Sequence, residues 1–411
     1  MQIKQSEAAL NGLNFFAADE ATGVGPFLAI YLTANRHWTP DHIGIAISAM
    51  SFATVLAQSP AGYFVDRTNY KRTTVITSSL IMGLSGILIP VFPAFSLVIA
   101  AQILMGITAA FYLPSLIALA SCLVNRENFD RTIGTNQTYN HAGNVAAAIS
   151  IGIVGKYTSN QGVFYCLAAL AVLCTISTLA IRSGDMNSPG SVSANTKTET
   201  SKDKATLAEM FSNRPFVIFL AAALIFHFAN AAMLPLVGEE ISKGKNENSS
   251  LYMSACIITA QFVMVPVTYI CGIEVKKGRK WLLIIAFIVL PIRGVLYTFS
   301  TNAIYLVSIQ ILDGVAAGIF GVVSILVIAD LMRNSGRSIF AQGILATMVG
   351  VGASLSNLVT GFVVNSFGFR TGFLCLSALA LAALALLWTT MPETVDMNNN
   401  ETPLLKTYRT I

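Results

Sequence analysis

Phe164-Tyr165-Cys166-Leu167 and Phe373-Leu374-Cys375-Leu376 are nearly the same four residues, 209 positions apart. At that offset Gly134, Gly143 and Gly152 fall on Gly343, Gly352 and Gly361, Pro26 falls on Pro235, and Asn69 falls on Gly278. Gln102-Ile103-Leu104-Met105-Gly106 returns as Gln310-Ile311-Leu312-Asp313-Gly314 at an offset of 208, one residue different in a loop. Two halves that keep one register over this distance are a parallel internal repeat. The glycines have a physical use, because small residues let helices approach closely.

The segments around these matches are apolar. The chain has 411 residues, 54% hydrophobic and 11% charged, with a mean hydropathy of +0.66. A soluble domain carries roughly 25% charged residues, so too few charges remain here to coat a wetted surface, and the bilayer is the expected solvent. Twelve apolar stretches are each long enough to cross roughly 30 Å of hydrocarbon as a helix: 10–31, 41–64, 73–92, 96–120, 132–155, 162–182, 215–237, 250–272, 281–299, 303–328, 339–364 and 371–391. Lipid offers the backbone no hydrogen-bond partner, so helices rather than open strands are required. The first stretch is interrupted by Asp19-Glu20 and followed by eleven more, and is read as a retained span, not a cleaved signal.

The placement of Lys and Arg gives an expected orientation. With the N-terminus inside, 19 of the 25 basic residues lie in inner loops and tails, five in outer loops, and Arg293 within a span. That bias puts both termini in the cytoplasm. The net charge of +5 therefore reports topology, and no nucleic-acid partner is expected. Cys122, Cys166, Cys174, Cys256, Cys271 and Cys375 fall in or at the ends of apolar stretches without C-x-x-C or metal-ligand spacing, and read as packing residues. No metal or other cofactor is expected. There is no H-E-x-x-H, G-x-S-x-G or phosphate-binding Gly-rich loop, which argues against an enzyme or an ATP-driven pump.

A Ser-, Thr-, Asn-, Lys- and Glu-rich stretch divides the spans six and six. The expected organisation is an N-terminal six-helix bundle (1–182), a flexible cytoplasmic linker (183–214), a C-terminal six-helix bundle (215–392) and a disordered tail (393–411).

The loop after the second span reads Gly62-Tyr63-Phe64-Val65-Asp66-Arg67-Thr68-Asn69-Tyr70-Lys71-Arg72. It resembles the Gly-x-x-x-Asp-Arg-x-Gly-Arg-Lys motif of the major facilitator superfamily at Gly62, Asp66, Arg67 and Lys71. Asn69 replaces a Gly, a change that its access to left-handed conformations tolerates, and Tyr70 replaces an Arg. The second copy, Glu274-Val275-Lys276-Lys277-Gly278-Arg279-Lys280, keeps the basic end and has Val275 where Asp belongs. The resemblance covers the whole chain. It implies an all-α polytopic membrane protein, two six-helix bundles related by a parallel pseudo-repeat, working as a monomeric secondary transporter in the bacterial inner membrane. Its partners would be the bilayer, a small solute and protons.

The resemblance also implies roles. Asp66 would latch onto the N-terminus of the eleventh helix near Ser338 when the cytoplasmic side is closed, and Arg67 would pair with Glu127 or Asp130. Ionisable groups inside spans are costly and so functional by default or paired. Asp19, Glu20, His141, His227 and Asp313 are the candidates for proton coupling or solute contact. Asn136, Asn140 and Asn144 recur every four residues of the fifth span, a polar stripe expected to face a watery cavity together with Gln137; a helix–helix hydrogen-bond network is the alternative. Gln102 and Gln310 occupy matched places among the cavity-lining polar residues, and Gln102 stands where many relatives carry an Arg that assists proton transfer. Arg293 and Asp313 are expected to form a structural salt bridge. Gly134 and Gly143 fit part of the fifth-helix signature of drug/proton antiporters, whereas Ala147-Ala148 and Ile151-Gly152 depart from it. Export of a drug-like or metabolite solute is therefore favoured. A proton symporter importing a polar metabolite, nutrient or iron–siderophore complex, and a transport-dead sensor on the same fold, are the rival expectations.

Overall fold

A computed structural model describes residues 2–20, 25–187, 207–243, 248–333 and 337–395. The regular elements among these residues are helices. The first half contains α1 (Gln2–Glu20), α2 (Gly25–Arg36), α3 (Pro40–Arg67), α4 (Lys71–Val91), α5 (Phe95–Leu123), α6 (Arg126–Tyr157) and α7 (Gly162–Ala180). Then follow α8 (Leu207–Ser212), α9 (Arg214–Asn230), α10 (Met233–Lys243), α11 (Ser249–Glu274), α12 (Lys280–Leu296), α13 (Ala303–Leu331), α14 (Ser338–Phe367) and α15 (Phe369–Thr390).

Local chemistry marks the boundaries. Pro40 opens α3 and Pro215 lies in the first turn of α9, where a missing N–H costs nothing. Asn125, Asn213 and Asn302 each cap a helix by accepting backbone N–H bonds, the last from both Ile304 and Tyr305. Gly368, at φ +84°, makes the left-handed turn between α14 and α15.

Nine helical stretches among the described residues are long and apolar enough to cross a membrane. The other three expected spans are helical too, and each departs for a visible reason. The first is described on either side of residues 21–24, α6 carries the Asn/Gln/His run, and α12 has only 17 residues.

The chain packs as two compact units: Met1–Thr200 with Leu234–Ile258 and Asn357–Gly368, and Ser201–Met233 with Thr259–Ser356 and Phe369–Ile411. The repeat glycines show how each is knitted. In the first unit Gly143 lies against the carbonyl of Phe15; in the second, Gly352 lies against the carbonyl of Leu224. Those partners are themselves 209 residues apart. Gly134 and Gly343 both face open space. Gly152 packs on Ser254, and Gly361 on Pro40 and Gly44, both within the first unit. Each glycine column thus repeats its packing role, which is stronger evidence of duplication than the sequence match.

Three sequence expectations change. Asn69 does not use a left-handed conformation: among the described residues His37 is the non-glycine with positive φ, while Gly278, the repeat mate of Asn69, sits at φ +157°. The linker is ordered at both described ends, as a 3₁₀ turn over Ser183–Asn187 and as α8. That turn is held by Ser6, which donates to Asp185 and accepts from the Arg182 amide, and by Arg72, which donates to Ser183 and to the carbonyls of Thr178 and Leu179. The expected tail also starts as structure, because Glu393, Thr394 and Val395 are packed. The remaining linker and tail residues lie outside the described residues. All six cysteines are thiols, four of them buried, with Cys166 half-buried and Cys375 exposed.

Candidate functional site

Several polar groups of the first unit gather between α1 and α6. Glu7 and Asn11 of α1 face Asn128, Arg131, Thr132 and Thr135 of α6 around a recess of about 450 Å³. Further along, Asn14 is buried and donates to Leu10 O, while Asn140 reaches the Asn14 carbonyl at 3.5 Å. The contact of Gly143 with Phe15 then brings the two backbones together and closes the seam. Only a glycine permits that approach, since a Cβ would collide with the carbonyl oxygen.

The asparagine stripe of α6 therefore faces α1 over part of its length. Asn136 is buried with its Oδ1 unpartnered, and Asn140 and Asn144 are half-buried. Gln137 and His141, on the adjoining face, are exposed. Asp19 and Glu20 end α1, and their side chains lie outside the described residues, as do those of Glu127 and Asp130.

The second unit holds a different arrangement. Arg293 of α12, 1% exposed, pairs with Asp313 of α13, 19% exposed. The same guanidinium donates to Asn230 Oδ1 at 2.6 Å and to Tyr297 Oη at 2.8 Å. Gln310 Nε2 donates to the same phenol at 2.8 Å. An unpaired guanidinium at this depth would be prohibitive, and the carboxylate, amide and phenol together neutralise and satisfy it. Gln102, the mate of Gln310, is equally buried but reaches only Met105 Sδ, at 3.6 Å. His227 lies against the rings of Phe226 and Phe320, with its Nε2 unpartnered among the described residues.

At the loop motif, Asp66 is exposed and forms no hydrogen bond or ion pair among the described residues. Arg67 donates to Tyr63 Oη and stacks over its ring, 3.9 Å from the centroid. Gly62 has open space beside it, and Lys71 begins α4.

The second copy is tied down instead. Arg279 forms a bidentate pair with Asp330, and Lys277 pairs with Glu274 at 2.7 Å. Glu393 accepts backbone N–H bonds from Arg279 at 2.8 Å, Lys280 at 3.0 Å, Thr394 at 2.9 Å and Val395 at 3.2 Å. Burial pushes this carboxyl up, but the four N–H donors outweigh it and hold the group below its ordinary value of 4.5. Gly278 leaves the room for Glu393 to reach the start of α12.

Sequence reasoning missed Glu7, Asn11, Asn14, Arg131, Thr132 and Thr135. The signal was present: Glu7, Asn11 and Asn14 step four and three residues along one face of α1. No cluster of three or more His, Cys, Asp or Glu able to hold a metal occurs among the described residues.

The Major Facilitator Superfamily model matches residues 10–290 and 271–410. An uncharacterised MFS-type transporter of Mycobacterium tuberculosis is 38% identical over 398 residues, covering 94% of this chain and 93% of the relative. A protein of Deinococcus radiodurans, whose name proposes sugar efflux, is 21% identical over 89% of this chain and 93% of its own. Among solved structures, the nucleoside transporter NupG superposes with a TM-score of 0.74 at 15% identity, over 94% of this chain and 98% of that one, a likeness of fold. The chain belongs to the Major Facilitator Superfamily, and is a multi-pass membrane transporter of that family, not an enzyme.

Proposed function

We propose that this transporter is a monomeric secondary carrier that exports a small organic solute by alternating access, driven by protons, from a bacterial inner membrane with both termini in the cytoplasm. The observation that carries the reading is the seam between α1 and α6. In a chain so poor in charge, it keeps an acid, a base and several amides and hydroxyls together around a recess. The recess lies where the first and fifth apolar stretches begin, so such a lining fits the wetted mouth of a route. The partial fifth-helix signature and the efflux name of the Deinococcus relative support export over import.

Proton coupling is assigned to ionisable groups of the spans other than the Arg293–Asp313 pair. Asp313 is occupied by Arg293, which assigns that pair to the framework. Asp19 and Glu20 at the end of α1, and exposed His141 on α6, are the groups we assign to proton uptake and release, with buried His227 next in line. Asp66 is assigned the latch, free here and engaged with the start of α14 when the cytoplasmic side closes; Gly62, Arg67 and Lys71 hold its loop.

The test is proton flux in proteoliposomes with a trapped pH dye, over amphiphilic cations, iron chelators, carboxylates and amino acids, with Asp19→Asn, Glu20→Gln and His141→Ala beside the wild type. Solute-dependent proton movement opposite to the solute, abolished by one of these changes, is expected. Movement in the same direction would make the chain an importer. Solute exchange without proton movement would remove the coupling.

A further inference from the structure

The recess at the mouth of α1 and α6 has a lining that invites a particular ligand. Its six described lining residues are all polar, and among them are one acid, Glu7, and one base, Arg131. These two share the cavity without closing into an ion pair, although opposite charges elsewhere in the chain close onto each other, as Arg293–Asp313 and Arg279–Asp330 do. Arg72, near the same end of the first unit, is likewise fully engaged, on Thr178, Leu179 and Ser183. An acid on α1 and a base on α6, with Asn11, Thr132 and Thr135 in the same lining, give the recess one negative and one positive group.

A ligand carrying a single charge would satisfy one group and meet repulsion at the other. A ligand with both charges matches both, each through a charge-assisted hydrogen bond, and a carboxylate suits the fork of a guanidinium. The neutral side chains supply donors and acceptors for whatever lies between the charges. At about 450 Å³ the recess is at the small end of the roughly 300–1,000 Å³ of ligand pockets, a size for an amino acid or a short peptide and not for a large amphiphile.

We infer that this recess is a loading site for a small zwitterion, with Glu7 receiving its ammonium group and Arg131 its carboxylate. This rests on the reading of the chain as a carrier that takes its solute from the cytoplasmic side. Closure of the seam at Gly143 and Phe15 makes the site a stop at the mouth, from which the solute passes inward along the α6 face bearing Gln137 and His141.

The experiment is equilibrium binding to the purified full-length chain in lipid nanodiscs, read by calorimetry without any gradient. The probes are free amino acids and dipeptides, each beside its N-acetylated and its C-amidated form. In the wild type, blocking either end is expected to weaken binding about tenfold or more, as loss of one charged contact of ~1.4 kcal/mol does. Glu7→Gln should erase the preference for a free amine and keep that for a free carboxylate; Arg131→Gln should do the reverse. Because Glu7 is half-buried and Arg131 exposed, both variants are expected to keep the wild-type melting temperature, which serves as the folding control. Equal binding of free and blocked forms, retention of both preferences in both variants, or no binding by any probe would each overturn the inference. Selective binding without proton flux would instead leave the loading site standing and remove the proton-driven function.

Discussion

The seam of α1 and α6 in the first half leaves polar groups open, whereas the surroundings of Arg293 and Arg279 in the second half tie charged groups together. Glu7, Arg131, Gln137, His141 and Asp66 are exposed or half-buried without charged partners among the described residues. Arg293 is held by Asp313, Asn230 and Tyr297, with Gln310 on the same phenol, and at the start of α12 Arg279 pairs with Asp330 while Glu393 accepts the backbone N–H groups. The glycine pairs Gly143/Gly352 and Gly134/Gly343, by contrast, have matching surroundings in both halves. The matched glycines thus keep their backbone contacts while the polar groups around them differ between the halves.

The sharpest attempt to break this contrast removes one charge from each half. Asp313→Ala strands a buried guanidinium and should cost about 3–5 kcal/mol of stability. Glu7→Ala, which strands nothing, should stay within about 0.5 kcal/mol. Thermal denaturation of the purified variants reads both, and equal losses would end the distinction between open and framework halves.

The shared part of the comparison has its own test. Gly143→Ala and Gly352→Ala both force a Cβ against a backbone carbonyl and should lose about 1–3 kcal/mol each. Gly134→Ala and Gly343→Ala meet nothing and should gain up to about 1 kcal/mol from helix propensity. Clearly unequal effects at matched positions would show that the halves no longer use their glycines alike.

The Glu393 knot predicts a pH signature confined to the second half. A carboxyl held below its ordinary value of 4.5 contributes its full stability above that pH and loses it as pH falls through the depressed value. Wild-type protein should thus lose melting temperature below about pH 4.5, and Glu393→Gln should lack this part of the acid dependence. The smallest expected effect on stability belongs to Gln137→Ala and His141→Ala. Both should melt within about 0.5 kcal/mol of wild type while lowering solute flux.

The repeat made the fold legible, because helix length, loop charge and glycine register all follow from local rules. The ion pair was legible too: two intramembrane charges of opposite sign on neighbouring spans have few alternatives to each other. The recess was harder to see, since attention to costly residues inside spans passed over Glu7 and Asn11, which flank the start of the first. Glu393 could not be found by any local pattern. Its partners at Arg279 and Lys280 lie more than a hundred residues away, and Pro392-Glu393-Thr394 resembles the opening of a polar tail. Asn69 and Gly278 teach the same lesson, since matched loop positions adopt different backbone conformations once their neighbours differ.

The thiols described above have a practical use. Cys166 and Cys375 are repeat mates, one in each packing unit, and are the two cysteines that are not buried. With Cys122, Cys174, Cys256 and Cys271 sequestered, a spin or fluorescent label delivered under native conditions would concentrate on that symmetric pair. The protein thus carries a built-in spectroscopic ruler, and its inter-label distance distribution could be recorded with and without solute before a single residue is changed.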